Sequence, residues 1–392
     1  MKTTAKRPLL ALNVCHILLD GLYDSIPVLL AIIVAAQANA DSIVGTVMSL
    51  AALASTLAGL ATISFSSRFT LMQATVLILF IGGAGFWIVA FSGGIWLAGF
   101  GFILVALGQN VFHNMAFSFF ARTTDRASLG RAISDFTAIG DLGRVPLISL
   151  AGFIGAMSFN DIAGWRLASF CFGLMNIVLF IISCPILFKK DTLIPKEHSG
   201  RNKLLPSFGI MRDKNVFLTV FANMLNTISC GSLFTFLPLL LLAKGFAPKA
   251  LAGFAFGFSL GCFVGKVACG RLIDRFGSRS TFIGAQLLLS LLIVLLLIGD
   301  SFYYVITISL FIGIVTKGSV PVVQTLAAEY AAKDTYDDIF SINSFFRGVA
   351  LIIIPLFFGF LASLHGIDSI YMIMAAVSIA AVLPIVAMRY GS

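Results

Sequence analysis

Ionisable side chains occur inside stretches of the chain that are otherwise apolar enough to span a membrane. Carboxylates and histidines dominate the first half, and the second half has cations. The residues are His16, Asp20, Asp24, His113, Asp135, Asp141 and Arg144 in the first half, and Lys266, Lys317 and Arg347 in the second. A charge at membrane depth costs roughly 2.5–3.5 kcal/mol on insertion scales, so it persists where it meets a partner or water. This division predicts a polar cavity between two membrane bundles.

Residues of the first span have the types and spacing for proton exchange. His16, Asp20 and Asp24 follow Asn13 at steps of three and four, so a helix places all of them on one face. Burial favours the protonated form of a carboxylate, and an imidazole exchanges protons near neutral pH. We predict that His16, Asp20 and Asp24 couple a proton to function. Two alternatives are open: one aspartate pairs with a cation from another helix, or Asp24 is hydrated near the outer end of the first span.

Polar side chains on other spans are candidates for binding a solute. They are Gln109 and His113 on the fourth span, Asp141 and Arg144 on the fifth, Asn223 and Asn226 on the seventh, Lys317 on the tenth and Arg347 on the eleventh. Lysine and arginine at these depths can bind a carboxylate or phosphonate, arginine through two parallel hydrogen bonds. Structural roles are equally open: His113 as a core histidine, Asp141 paired with Arg144, or the second-half cations paired with first-half carboxylates. Asp135 and Lys266 are expected at the cytoplasmic rim.

Composition identifies the elements that must position these residues. Hydrophobic residues make up 59% of the chain and charged residues 11%, against about 45–50% and about 25% in a soluble domain. Twelve segments have the roughly 20 apolar residues that a spanning helix needs, and their continuous runs exclude transmembrane strands. We predict an all-α integral membrane protein with twelve transmembrane helices. The six cysteines lie in apolar segments without a CxxC pair, so no disulfide, metal or other cofactor is expected.

The loops predict the orientation. If the N-terminus is cytoplasmic, nearly all loop lysines and arginines fall on the cytoplasmic side, as the positive-inside rule requires. Both termini are then cytoplasmic, and a bacterial inner membrane is the expected location. The net charge of +9 needs no nucleic-acid partner. The expected partners are a small-molecule substrate, protons and the lipid bilayer, and the expected state is a monomer. The acidic loop 333–338 has no predicted role.

The chain divides into two halves. Residues 189–214 form a polar stretch with most of the soluble charge, and they predict a cytoplasmic linker between six-helix bundles at 1–188 and 215–392. DSIPVLLA at 24–31 matches TFLPLLLL at 235–242, and SRFT at 67–70 matches DRFG at 274–277. Such internal repeats are a hallmark of secondary transporters, whose binding site lies near the bilayer midplane between the repeats.

The segment GRLIDRFGSR at 270–279 resembles the loop signature of the major facilitator superfamily. The resemblance implies a gating motif in which glycine allows close helix packing, and an aspartate caps a helix and pairs with an arginine. Its members here are Gly270, Asp274, Arg275, Gly277 and Arg279. The first-half copy at 63–70 keeps only the arginine and phenylalanine of DRFG. The superfamily resemblance implies two six-helix bundles in pseudo-twofold relation that transport by alternating access.

Two further segments suggest a branch of that superfamily. AIGDLGRVPLISLAG at 138–152 resembles the glycine and proline signature of proton-driven antiporters, and HxxxD at 16–20 with GxxxFH at 108–113 resembles the fosmidomycin-resistance type. This implies proton-coupled efflux of a small anionic or zwitterionic compound, such as a drug or a siderophore. Proton-coupled uptake of a metabolite or siderophore is the rival interpretation. No HExxH, nucleophile elbow or phosphate loop indicates an enzyme.

Overall fold

The computed structural model describes residues 6–62, 69–123, 129–159, 162–187, 208–330 and 336–388. Within these residues, Ser158–Phe159 pairs with Ile162–Ala163 as a two-residue antiparallel hairpin, and the remaining regular structure is helical. Helices dominate because a helix satisfies all of its backbone hydrogen bonds within one apolar segment.

The α-helices of the described residues are, in chain order, α1 (Lys6–Asp24), α2 (Ile26–Val34), α3 (Ala40–Leu60), α4 (Leu71–Phe91), α5 (Ile95–Thr123), α6 (Leu129–Gly155), α7 (Gly164–Leu187), α8 (Lys214–Asn226), α9 (Leu233–Ala243), α10 (Leu251–Ile298), α11 (Phe302–Tyr330), α12 (Tyr336–His365), α13 (Ile367–Ala380) and α14 (Val382–Val386). A π-helix, Thr227–Gly231, joins α8 to α9, and two 3-10 helices lie at Phe208–Arg212 and Pro248–Ala250. Twelve stretches of the described chain are long and apolar enough to cross a membrane. The predicted all-α class and the predicted number of spans are confirmed.

The contacts divide the chain into two compact units. The first comprises residues 1–37, 50–198 and 247–255, and the second comprises residues 38–49, 199–246 and 256–392. Each unit therefore includes a short segment from the other half of the sequence. The predicted bundle boundaries, which follow the sequence order alone, stay a prediction.

In the first unit, α1 packs against α6 with the two backbones in contact. A side chain at Gly143 would overlap the carbonyl oxygen of Ile17, and a Cβ atom at Gly21 would lie 2.5 Å from the carbonyl oxygen of Gly143. Small residues at a helix crossing allow this close approach between membrane helices. The polar faces of α1 and α6 consequently lie within hydrogen-bond reach of each other.

The first span of each half is interrupted about two and a half to three turns before its C-terminal end. In the first unit, Ser25 separates α1 from α2, and in the second, Ser232 follows the π-helix and precedes α9. A proline comes a few residues after each break, Pro27 and Pro238, and proline disturbs the preceding helical turn because it lacks an N–H group. Ser25 falls within the repeat segment 24–31, and Ser232 lies three residues before its counterpart 235–242.

The second unit is built on an apolar cluster between α8, α10, α11 and α14. Phe282, Val322, Leu326 and Ile385 are buried in it. Helix α10 contains the eighth and ninth spans, and its one non-helical residue is Gly277, with φ of 77°. Glycine suits this left-handed backbone because it has no Cβ atom. Gly277 thus turns the chain between the two spans.

Candidate functional site

Asp20 is the centre of a buried polar cluster in the first unit, and its side chain is 2% exposed. Its Oδ1 atom accepts a hydrogen bond from Gln109 Nε2 at 2.8 Å and lies 3.5 Å from His113 Nε2. Its Oδ2 atom accepts from Arg144 Nη2 at 3.1 Å and lies 3.3 Å from His16 Nε2. One carboxylate on α1 therefore contacts polar groups of α5 and α6 as well as its own helix.

Arg144 pairs with three carboxylates. Besides Asp20, its Nε atom lies 2.5 Å from Asp24 Oδ2, and its Nη1 atom contacts Asp141 Oδ1. Three ionised carboxylates exceed one guanidinium by two negative charges, and uncompensated buried charge is strongly unfavourable. Protons on the histidines or the carboxylates would reduce this excess.

Helical spacing explains how each element presents its side chains. His16, Asp20 and Asp24 are successive turns of α1, Gln109 and His113 are one turn apart on α5, and Asp141 and Arg144 are one turn apart on α6. The structure thus brings together residues that the sequence divided between proton coupling and solute binding. The members of this Asp20 cluster are His16, Asp20, Asp24, Gln109, His113, Asp141 and Arg144.

Gly140 makes room for the cluster. A Cβ atom at this position would lie 2.5 Å from Asp20 Oδ2 and 2.5 Å from His16 Nε2. The sequence indicates Gly140 as part of a bendable, closely packed helix, and the glycine motif of the fifth span is the signal that points to it. Its contact with the His16–Asp20 pair needs the three-dimensional structure.

His16 is enclosed by aromatic rings. Its side chain is 0% exposed, and its ring stacks on Phe136 with centroids 4.0 Å apart and planes at 23°. The ring of Phe112 lies 5.1 Å away, and that of His113 lies 5.2 Å away in an edge-on arrangement. Sequence reasoning missed both phenylalanines, because a chain with 38 phenylalanines gives no signal that selects two of them.

The cluster also has the spacing of a possible metal site, since His16, Asp20 and His113 each offer a ligand atom and these atoms lie within 4.8 Å of one another. Arg144 donates to the same Asp20 oxygen that faces His16. A divalent cation there would be repelled by the guanidinium. We therefore assign no metal to the cluster.

The two asparagines predicted to bind solute on the seventh span are engaged inside the second unit. Asn226 Oδ1 accepts from Gln286 Nε2 at 2.6 Å and from Cys230 Sγ at 3.2 Å. Asn223 Nδ2 donates to Asn343 Oδ1 at 3.3 Å. All four amide side chains are buried. These bonds fasten the π-helix that joins α8 to α9, and π-helices occur frequently at functional sites.

The second-unit cations differ in their surroundings. Lys317 lies midway along α11, is half-buried beside Cys230 of the π-helix, and makes no ion pair with any carboxylate that the structure describes. Arg347 lies on α12, one turn after Asn343, and its side chain is exposed. A half-buried lysine without a described carboxylate partner suits an anionic ligand.

The loop with the gating signature lies at the turn within α10. Gly277 makes the turn, and Ser278 Oγ donates to Glu329 Oε2 of α11 at 2.5 Å. Arg279 Nη2 donates to the carbonyl oxygen of Val386 at 2.9 Å, and the guanidinium of Arg275 lies 5.1 Å from the ring centre of Phe276. These contacts fix the loop to two other helices of its own unit.

Several predicted features fall outside the residues or side chains that the structure describes. They are the side chains of Asp135 and Asp274, the surroundings of Gly270, residues 63–68 of the first-half loop copy, residues 188–207 of the linker and the acidic loop 333–338. Lys266 is half-buried on α10. The roles predicted for these residues stay predictions.

Solved structures of similar shape cover nearly the whole chain. A bacterial homologue of the human lysosomal transporter Spinster, inward-facing and unoccupied, has a TM-score of 0.73 at 15% identity over 98% of this chain and 95% of its own. The nucleoside transporter NupG, in a point-mutant form, has a TM-score of 0.76 at 12% identity, and the match covers 96% of this chain and 98% of NupG. The human organic anion transporter MFSD10 has a TM-score of 0.65 at 13% identity, and the match covers 98% of this chain and 100% of MFSD10.

A family model described as Major Facilitator Superfamily matches residues 219–391. The chain has the Major Facilitator Superfamily fold. The superfamily match and the transporters that share its shape point to a membrane transporter rather than an enzyme. No curated protein sequence matches the chain. Within the superfamily, the resemblance to fosmidomycin-resistance carriers stays a prediction.

Proposed function

We propose that this protein is a proton-coupled secondary transporter that exports a small anionic or zwitterionic organic compound, such as a drug or a siderophore-like molecule, by alternating access. The observation that carries the proposal is the Asp20 cluster. It combines a carboxylate that is 2% exposed with two histidines and a shared guanidinium. The proposed setting is a bacterial inner membrane, with a monomeric chain and both termini in the cytoplasm.

The charge balance of the cluster supports proton coupling. Arg144 contacts Asp20 and Asp24 of α1 as well as Asp141 of its own helix, so a proton on Asp20 or Asp24 weakens the contact between α6 and α1. A neutral carboxylic acid interacts much less with a guanidinium than a carboxylate does, because the charge-assisted hydrogen bond is lost. Protonation would thereby change the helix contacts that the first unit can make.

The second unit supports an anionic or zwitterionic cargo. Lys317 is half-buried beside the π-helix and has no described carboxylate partner, and Arg347 lies on α12. We propose that these two cations bind the cargo. The similar structure of MFSD10 belongs to an organic anion transporter, which agrees with this charge preference. The nucleoside transporter NupG has the same fold, so the fold alone does not select the cargo.

The gating loop would close the cytoplasmic side during the cycle. In this proposal Gly270, Asp274, Arg275, Gly277 and Arg279 form the latch that the superfamily resemblance implies. The contacts of Ser278 with Glu329 and of Arg279 with Val386 supply a fixed base for the latch within the second unit.

The test uses purified protein in liposomes with an imposed pH gradient. A thermal-shift screen of organic anions, zwitterions and cations first selects a ligand, and its radiolabelled form then reports flux. We expect flux that follows the pH gradient and moves the ligand against the proton. Movement in the same direction as the proton would establish uptake, the rival interpretation. Flux that is insensitive to the gradient would refute proton coupling.

A further inference from the structure

We propose that His113 carries the exchangeable proton of the Asp20 cluster, and that it shares this proton between its Nε2 atom and Oδ1 of Asp20. The inference rests on the proposed proton coupling and names the residue that takes up the proton. The sequence suggested that His113 binds solute. This proposal assigns it to the proton pathway instead.

The hydrogen bond of His113 to its own helix fixes the tautomer. The Nδ1 atom lies 3.0 Å from the carbonyl oxygen of Gln109, one turn earlier on α5. A carbonyl oxygen accepts hydrogen bonds and cannot donate, so Nδ1 carries a hydrogen and donates it. A neutral imidazole has one N–H group. In neutral His113 the other nitrogen, Nε2, therefore carries a lone pair and can only accept a hydrogen bond.

That lone pair faces a carboxylate. His113 Nε2 lies 3.5 Å from Asp20 Oδ1, so neutral His113 beside ionised Asp20 would place two acceptors against each other. One additional proton removes the repulsion, whether it resides on His113 or on Asp20. The side chain of Gln109 donates to the same Oδ1 at 2.8 Å. A donor to the ionised carboxylate favours the charged form, so the proton resides mainly on His113.

His16 differs from His113 in its hydrogen bonding and in its exposure. Neither of its ring nitrogens has a hydrogen-bond partner that fixes the tautomer among the described residues. The neutral form can therefore carry its hydrogen on Nε2, which lies 3.3 Å from Asp20 Oδ2. Its ring is 0% exposed and stacked on Phe136, whereas the side chain of His113 is 20% exposed. His16 can thus contact Asp20 without an added proton, and His113 is the more accessible of the two histidines.

Asp20 is the carboxylate that faces His113, and it favours an imidazolium there. His16 of α1, Gln109 of α5 and Arg144 of α6 contact the same carboxylate, and Arg144 also contacts Asp24 and Asp141. The cluster as a whole has three carboxylates and one guanidinium. Loss of the proton from His113 would repel Asp20 Oδ1 and leave Arg144 as the main partner of this carboxylate. This exchange of partners links the proton to the α1–α6 contact.

Nitrogen-15 NMR of histidine-labelled protein tests the assignment directly. The chain has four histidines, His16, His113, His198 and His365, so single substitutions to glutamine assign every signal. We expect His113 to titrate between the doubly protonated form and a neutral form with hydrogen on Nδ1. We expect the neutral tautomer of His16 to carry its hydrogen on Nε2. A neutral His113 with hydrogen on Nε2, or titration of His16 in place of His113, would overturn the proposal.

Two variants separate this inference from the proposed function. Gln109→Ala removes the side chain and keeps the backbone carbonyl, so the neutral tautomer of His113 should stay unchanged. His113→Gln should abolish gradient-driven transport, and His365→Gln, an exposed position, should retain it. Absence of gradient-driven transport in the wild type would refute the proposed function while the NMR result stands. Gradient-driven transport that survives in a folded His113→Gln protein would refute the role of His113 alone.

Discussion

Replacing Gly140 with alanine adds a methyl group between Asp20 and His16. The new Cβ atom would lie 2.5 Å from Asp20 Oδ2 and 2.5 Å from His16 Nε2, whereas ordinary contacts begin at 3.4 Å. One or both side chains must therefore move by about 1 Å, which exceeds what a close-packed site absorbs without cost. Separating the helices instead would open the close backbone contact between Gly143 and Ile17.

The cost follows from this displacement. Overpacking a closely packed site typically costs about 1–3 kcal/mol, and the higher helix propensity of alanine returns up to about 1 kcal/mol. The Arg144–Asp20 bond of 3.1 Å would also lengthen beyond hydrogen-bond range. We expect the free energy of unfolding of Gly140→Ala to fall by about 1–2 kcal/mol. We also expect loss of gradient-driven transport, since the proton site is distorted.

Thermal unfolding in detergent and flux in liposomes measure the two effects. Gly284→Ala is the matched control, because Gly284 is exposed on α10 and a Cβ atom there meets nothing within 4 Å. The control should match the wild type in flux and equal or exceed it in stability. If Gly140→Ala behaves like Gly284→Ala in both assays, the crowding around Asp20 is not what the structure describes, and the reasoning fails.

Three other substitutions test separate parts of the structure. Arg144→Leu leaves three carboxylates without their shared cation and should lower the free energy of unfolding by about 3–5 kcal/mol. Because protonation of the carboxylates removes their repulsion, this variant should unfold at a higher temperature at acidic pH than at alkaline pH. The opposite trend would contradict the charge balance. Gln286→Leu removes the 2.6 Å bond to Asn226 and should lower the free energy of unfolding by about 1–3 kcal/mol, whereas an unchanged unfolding midpoint would show that this bond contributes nothing. Lys244 Nζ donates to Leu297 O at 2.8 Å and Gly299 O at 3.1 Å at the end of α10. Lys244→Met should therefore unfold at a lower temperature than the exposed control Lys249→Met. Equal unfolding midpoints would show that these two hydrogen bonds do not stabilise the end of α10.

The twelve spans were predictable because each depends on one continuous apolar segment. The stripe of His16, Asp20 and Asp24 was predictable for a similar reason, since helical periodicity alone places residues four apart on one face. The break at Ser25 was not, although Pro27 marks its neighbourhood. Local sequence thus predicted where the helices lie and which residues share a helix face. It did not predict where a helix is interrupted.

The partners of Asp20 could not be predicted in the same way. Arg144 and Gln109 are far from Asp20 in sequence, and their convergence depends on how closely α1, α5 and α6 pack. The sequence offered Arg144 as a possible grip for solute or as a partner of Asp141, and its contacts with Asp20 and Asp24 require the backbone approach at Gly143. Phe136 gave no signal because its role depends on ring orientation. These features belong to tertiary packing, which no single segment encodes.

Asp20→Asn is the most direct test of proton coupling. The variant and its control Asp368→Asn, an exposed carboxylate on α13, are reconstituted and compared in two modes: exchange of labelled for unlabelled ligand at equal pH, and accumulation driven by a pH gradient. Proton coupling through Asp20 predicts that Asp20→Asn retains exchange and loses accumulation, while the control retains both. Undiminished accumulation by a folded Asp20→Asn protein would contradict it.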